Sequence, residues 1–210
     1  MAMFIESPEL EEDLKARRQA WDVDKHDEVW EGVYFMSPEA DNDHQDWVLE
    51  FAAVLREAIA KRGLGKVYPG VNLAASAENW EHDYRVPDVL VFLKGTAAVN
   101  HGKFWTGAAD FIIEISSPRD RVYEKLPFYS RIGVRELLIL NRQKRVLELY
   151  QHRGGDLRKS GESALDGGDA LSSQVLSLDF RLIPGDPRPQ VEVWHKTSGE
   201  RWVICVNEME

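Results

Sequence analysis

Apolar and polar residues change period several times along this 210-residue chain, and each period predicts an element. Residues 7–20, SPELEEDLKARRQA, are polar on most sides, with Ser7 as a cap, Pro8 at the first helical position and acids in the first turn. They predict a short peripheral helical arm. EVWEGVYFM (28–36) alternates about Glu31-Gly32 and predicts a hairpin. From Asp41 to Arg62, Trp47, Val48, Phe51, Leu55, Ala58 and Ile59 form one stripe of a 3.6-residue wheel, which predicts a long amphipathic helix. His44 falls at the N-terminal end of that stripe, and Gly63 and Gly65 stop the helix.

The pattern then shortens to that of strands. Residues 66–76 read as a strand broken at Pro69-Gly70, and 78–84 as a polar loop. Strand 85–93 follows, with Val86, Asp88, Leu90 and Phe92 on one face. Residues 94–109 read as a long loop and candidate lid, with His101 either a ligand or a surface residue. Strand 110–116 sets Ile112, Glu114 and Ser116 opposite Phe111, Ile113 and Ile115. Residues 120–132 predict a helix with Val122, Leu126 and Tyr129 on its stripe; Pro127 predicts a kink or a late start. Strands 136–141 and 145–151 pair through the Arg142-to-Lys144 turn. Strand, helix and strand from 110 to 140 make a βαβ unit, so the class is α/β with a partly parallel sheet.

The tail is less regular. Residues 153–170 have no period and predict a mobile surface segment; 175–185 predict a short strand. VEVWHK and RWVICV flank TSGE and predict a terminal hairpin. The expected organisation is an arm over 1–24, a core over 25–152, and an extension over 153–210 whose β-hairpin packs on the core or on a partner subunit.

Composition narrows the class. No apolar run approaches the roughly 20 residues of a membrane span, and the N-terminus lacks the pattern of a secretory signal. A single cysteine, Cys205, excludes an intrachain disulfide or a cysteine zinc cluster. A cytoplasmic protein without a membrane partner is expected. The net charge of −10 opposes unassisted coating of nucleic acid, but it is uneven. Residues 1–50 carry 15 acids against 4 Lys/Arg, whereas 117–145 carry 8 Lys/Arg against 3 acids. That basic stretch, which includes Arg119, Arg121 and Arg131, is either a solvated helix face or a nucleic-acid-binding surface.

Two acids stand out because they interrupt apolar strand-like runs: Asp88 in VPDVLVFL and Glu114 in FIIEIS. An unpaired charge is costly to bury, so each needs a partner. Paired hard carboxylates suit a divalent ion such as Mg²⁺ or Mn²⁺. Lys125, eleven positions after Glu114, is placed to orient a water or offset charge on a phosphate. The bland alternative is a buried ion pair of Glu114 with Lys125 or Arg121. No phosphate-binding glycine loop, nucleophile elbow or HExxH motif is present.

The string VPDV…FIIEISSPRDRVYEKLPFYSRIGVRELLIL resembles the Uma family, within the PD-(D/E)XK nuclease superfamily, as do EVWEGVYFMSPEADNDHQ, PGVN and FRLIPGDPRP. The likeness spans roughly residues 28–206. It implies a restriction-endonuclease-like fold: a mixed β-sheet of about five strands flanked by helices, here with an N-terminal helical arm and a C-terminal β-hairpin. It implies a divalent-metal-dependent endonuclease acting on nucleic acid, DNA above all. Asp88 and Glu114 match the two acids, and the Ile115 backbone carbonyl the third metal ligand. The superfamily lysine two positions after the second acid is here Ser116; Lys125 stands in its place on the following helix. His44 and Tyr129 match recurrent supporting positions. A homodimer or higher homo-oligomer is expected. The rival reading is a catalytically silent module of the same fold that binds protein or nucleic acid.

Overall fold

A computed structural model describes residues 8–37, 40–117, 120–186 and 188–205. Ser7, the expected cap of the first helix, lies outside them. Helix α1 (Pro8–Ala20) is followed by the hairpin β1 (Glu28–Trp30) and β2 (Val33–Phe35). Glu31 and Gly32 both have positive φ, as a tight two-residue hairpin turn requires. Arg18 ties α1 to this hairpin through Asp27, with bonds of 2.5 and 2.6 Å.

Helix α2 (Asn42–Leu55) begins at Asp41, whose side chain accepts the His44 backbone N–H, and widens into a π-turn over Arg56–Ala60. Trp47, Phe51, Leu55, Ala58 and Ile59 are buried as the stripe predicts, and Val54 joins them. Strand β3 (Gly65–Pro69) ends at Gly70, whose positive φ turns the chain into a second sheet at β4 (Asn72–Ala74).

The expected strand 85–93 is in fact two. Strand β5 (Tyr84–Arg85) belongs to the second sheet and β6 (Val89–Leu93) to the central one. Pro87 lies at the break, where it has no N–H to offer a ladder. Residues 94–109 are not a free lid either. Strands β7 (Val99–Asn100) and β8 (Phe104–Thr106) pair with each other. Trp105 is buried there, stacked on Phe92 with ring centres 3.9 Å apart. His101 is a surface residue, its ring stacked on Phe104 and its Nε2 2.9 Å from Thr106 Oγ1.

Strand β9 (Phe111–Ser116) is buried throughout. A 3₁₀ turn (Val122–Lys125) precedes α3 (Leu126–Ile132), so Pro127 sits in the first turn of a late-starting helix. Strand β10 (Glu136–Asn141) runs parallel to β9, and β11 (Val146–Arg153) returns antiparallel. Residues 153–170 overturn the expectation of an irregular mobile segment. Strand β12 (Asp156–Ala164) pairs with β11 along its length and edges the central sheet. Its apolar signal is weak because only Leu157 and Ser163 turn inward. The central sheet therefore has six strands, ordered β12-β11-β10-β9-β6-β3.

Strands β13 (Leu171–Ser172), β14 (Leu178–Ile183), β15 (Gln190–His195) and β16 (Arg201–Ile204) form a third sheet. One face of the central sheet, with Phe111, Ile113, Ile115 and Leu138, packs on α2 and on Phe180, Val191, Val193 and Ile204 of the third sheet. The other, with Leu90, Ile112, Leu137 and Ile139, packs on Phe128 and Tyr129 of α3 and on Leu73 and Trp105 of the second sheet. Among the described residues, no helix is long and apolar enough to cross a membrane.

Candidate metal and nuclease centre

The centre forms where β6 begins and β9 nears its end. These strands are antiparallel, with Val89 opposite Ile113. One step further along that register sets Asp88 opposite Glu114, on the same side of the sheet. Asp88 precedes the strand rather than lying inside it, and its side chain is 17% exposed. Its Oδ2 accepts the Ile115 N–H at 2.7 Å, and its Oδ1 lies 3.2 Å from His44 Nε2. The α2 cap thus aims His44 at the acid. Within a strand the N–H and C=O of one residue leave along the same edge, so the Ile115 carbonyl faces the Asp88 side of β9.

Glu114 is buried. Lys125 Nζ lies 3.1 and 3.3 Å from its two carboxylate oxygens, and the Tyr129 hydroxyl donates to Oε1. The late start of α3 produces this contact, because the 3₁₀ turn points Lys125 inward one turn before Tyr129. Glu114 pairs with Lys125 and not with Arg121.

The sequence reading missed a third acid. Glu28, buried on β1, sits with Oε1 2.9 Å from Lys125 Nζ and accepts the Val86 N–H and the Trp30 indole N–H. Its signal was the same as for the other two: a carboxylate on a buried strand face, in EVW. Arg85 was also missed. It is buried, 4.2 Å over the Phe128 ring and 4.6 Å over Trp30, and is balanced by Asp83 at 3.0 Å.

Two carboxylates, Glu114 and Glu28, therefore flank one ammonium, and the charge of Asp88 acts on the same cluster. Burial raises the Glu114 carboxyl to about 8; Asp88 and Glu28 push the same way, and Lys125 and Tyr129 oppose them. Burial works against the Lys125 charge, yet Glu114, Glu28 and Asp88 outweigh it and raise its pKa. Burial likewise opposes protonation of His44, and Asp88 more than offsets it, so its pKa is raised. Tyr129 is pushed well above the ordinary phenol range, first by burial and then by Glu114 and Glu28.

The donor set fits a hard divalent ion. With Arg85 balanced by Asp83, the pocket has an excess of negative charge that a proton on Glu114 relieves and a cation would relieve better. Among the described residues no three His, Cys, Asp or Glu side chains form a ready metal cage. Two carboxylates with a backbone carbonyl is the sparser arrangement that Mg²⁺ accepts, since it keeps several waters.

The basic residues are more dispersed. Arg121 pairs with Glu124 and lies over the rings of Trp30 and Phe35, at 5.0 and 4.8 Å. Arg131 pairs with Glu31 and Asp83. Arg119 lies outside the described residues.

A family model named Uma2, described as "Putative restriction endonuclease", matches residues 8–184. The chain belongs to the Uma2 family. No curated protein matches it. Among solved structures it is similar to a "putative nuclease belonging to DUF820" from Anabaena variabilis. That likeness has a TM-score of 0.55 and 17% identity, covering 70% of this chain and 80% of that one. At that identity the likeness shows the fold alone: this chain shares the mixed α/β architecture of that protein.

Proposed function

We propose that this Uma2 protein is a divalent-metal-dependent endonuclease that hydrolyses phosphodiester bonds of nucleic acid, DNA above all. One observation carries the reading: Glu28 and Glu114 are buried against Lys125 near the end of β9, and Asp88, accepting the Ile115 N–H, adds a third negative charge to the cluster. Asp88, Glu114 and the Ile115 carbonyl would hold Mg²⁺ or Mn²⁺. When bound, that ion supplies a Lewis acid that acidifies water and offsets charge on a phosphate oxygen. His44 holds Asp88, and Tyr129 holds Glu114, in ligating rotamers. Lys125 is a fixed cation beside the reacting phosphate, positioned between Glu114 and Glu28. Arg121 and Arg131 would contact the phosphate backbone, and Arg119, outside the described residues, is expected to share that role. A cytoplasmic homodimer or higher homo-oligomer completes the reading; light scattering tests the assembly.

Supercoiled plasmid and single-stranded DNA and RNA, incubated with Mg²⁺ or Mn²⁺, provide the test. Wild type should cut and EDTA should stop it. Asp88→Asn and Glu114→Gln should abolish both cutting and calorimetric metal binding. Lys125→Met should keep metal binding and lose about 100-fold or more in rate, the scale for losing one charge-stabilising group. Undiminished metal binding by the two acid variants would overturn the ligand assignment. A wild type that binds no metal and cuts none of these substrates would favour the silent module.

A further inference from the structure

The first turn of α2 separates Asp88 from a cavity of about 370 Å³. Its floor is apolar, formed by the buried side chains of Trp47, Leu140 and Leu182. Its rim is charged, with Arg142, Arg145 and Arg188 set against Asp41 and Asp43. Leu140 and Arg142 place it at the carboxyl ends of the parallel pair β9 and β10, where open α/β sheets receive ligands. The centre described above lies at the same end.

The three guanidinium groups differ. Arg142 is clamped bidentately by Asp41 at 2.8 Å and reaches Ser117 Oγ at 2.8 Å. Arg188 meets Asp43 at 2.6 Å. The first turn of α2 thus fixes both, and Asp41 and Asp43 balance much of their charge. Even so, the Nε of Arg142 is buried and finds no acceptor. Arg145 is exposed, reaches no carboxylate among the described residues, and sits at φ +53° in the β10–β11 turn. That left-handed conformation closes the β10–β11 hairpin turn and leaves Arg145 at the rim of the cavity.

The geometry points to a nucleotide subsite: one unpaired base of a single-stranded segment seats against Trp47, Leu140 and Leu182, with its phosphate on Arg145. The inference rests on the nuclease reading of the neighbouring acids and adds the form of the substrate. The volume is at the small end for ligand pockets, which run about 300–1,000 Å³. A cavity of about 370 Å³ suits one nucleoside, which is the reason for proposing a splayed or single strand.

The test reads binding, not cutting. In EDTA at low salt, fluorescence anisotropy compares a labelled thymidine octamer with an octamer of abasic sugar-phosphates. Wild type should bind the base-bearing strand about tenfold tighter, the order expected for seating one base. Arg145→Ala, at an exposed turn, should weaken binding several-fold with an unchanged melting curve. Equal affinity for the two octamers, no binding of either, or an Arg145→Ala protein indistinguishable from wild type would overturn the subsite. Base-selective binding without cleavage of any substrate would remove the nuclease reading and leave the subsite standing.

Discussion

Glu114 shows how one residue carries a stability cost and, in the proposed centre, would take a binding role. Its ordinary pKa of 4.5 rises to about 8 in the fold, so the folded metal-free chain holds the proton more tightly than the unfolded one. Its stabilising contribution is complete below pH 4.5 and is lost as pH rises through 8. In EDTA, the melting temperature of wild type should therefore fall relative to Glu114→Gln between pH 5 and 9. Parallel curves for the two proteins would show that the proton is not held there. In the proposed centre a metal would compete for the same oxygens, so calorimetric Mg²⁺ affinity should rise from pH 6.5 to 8. The acid itself was visible in the sequence, as a carboxylate within FIIEIS. Its lysine was visible only as a candidate, because eleven intervening residues decide whether an ammonium returns to the strand. Glu28 was visible by the same rule in EVW and was passed over, because a three-residue strand offers little period to read.

At the level of elements, patterning worked where one face is apolar. The α2 stripe and the two faces of β9 match their packing in the two core clusters. It failed where hydrogen bonds, not side chains, hold an element. Strand β12 is polar on most positions and exists because β11 accepts it as an edge partner. Its backbone amides should therefore exchange with solvent far more slowly than unstructured chain, as read by hydrogen–deuterium exchange over 156–164. Fast exchange there would return the segment to a loop. Residues 94–109 failed for a related reason: Trp105 folds the segment down onto Phe92, a contact 13 positions distant that no local pattern reveals.

For the molecule as a whole, the terminal sheet is structural. Val191, Val193 and Ile204 lie in the same cluster as α2 and the central sheet. Each fully buried aliphatic side chain contributes about 1.5–3 kcal/mol, against a net stability for a whole domain of about 5–15 kcal/mol. A chain ending at Pro184 loses all three and uncovers Phe180. It should show no cooperative thermal transition and a collapsed near-UV dichroism signal; a sharp transition would show that the tail is dispensable. The sequence by itself determined the α/β class, the faces of the buried helix and strand, and the two acids that apolar neighbours make conspicuous, because those properties are written in local period and composition. Only the tertiary structure decided that Glu28 joins them, that Lys125 reaches Glu114, and that three arginines border one cavity. Those juxtapositions depend on register, on a delayed helix start and on loop closure, which set distances between residues that no local pattern connects.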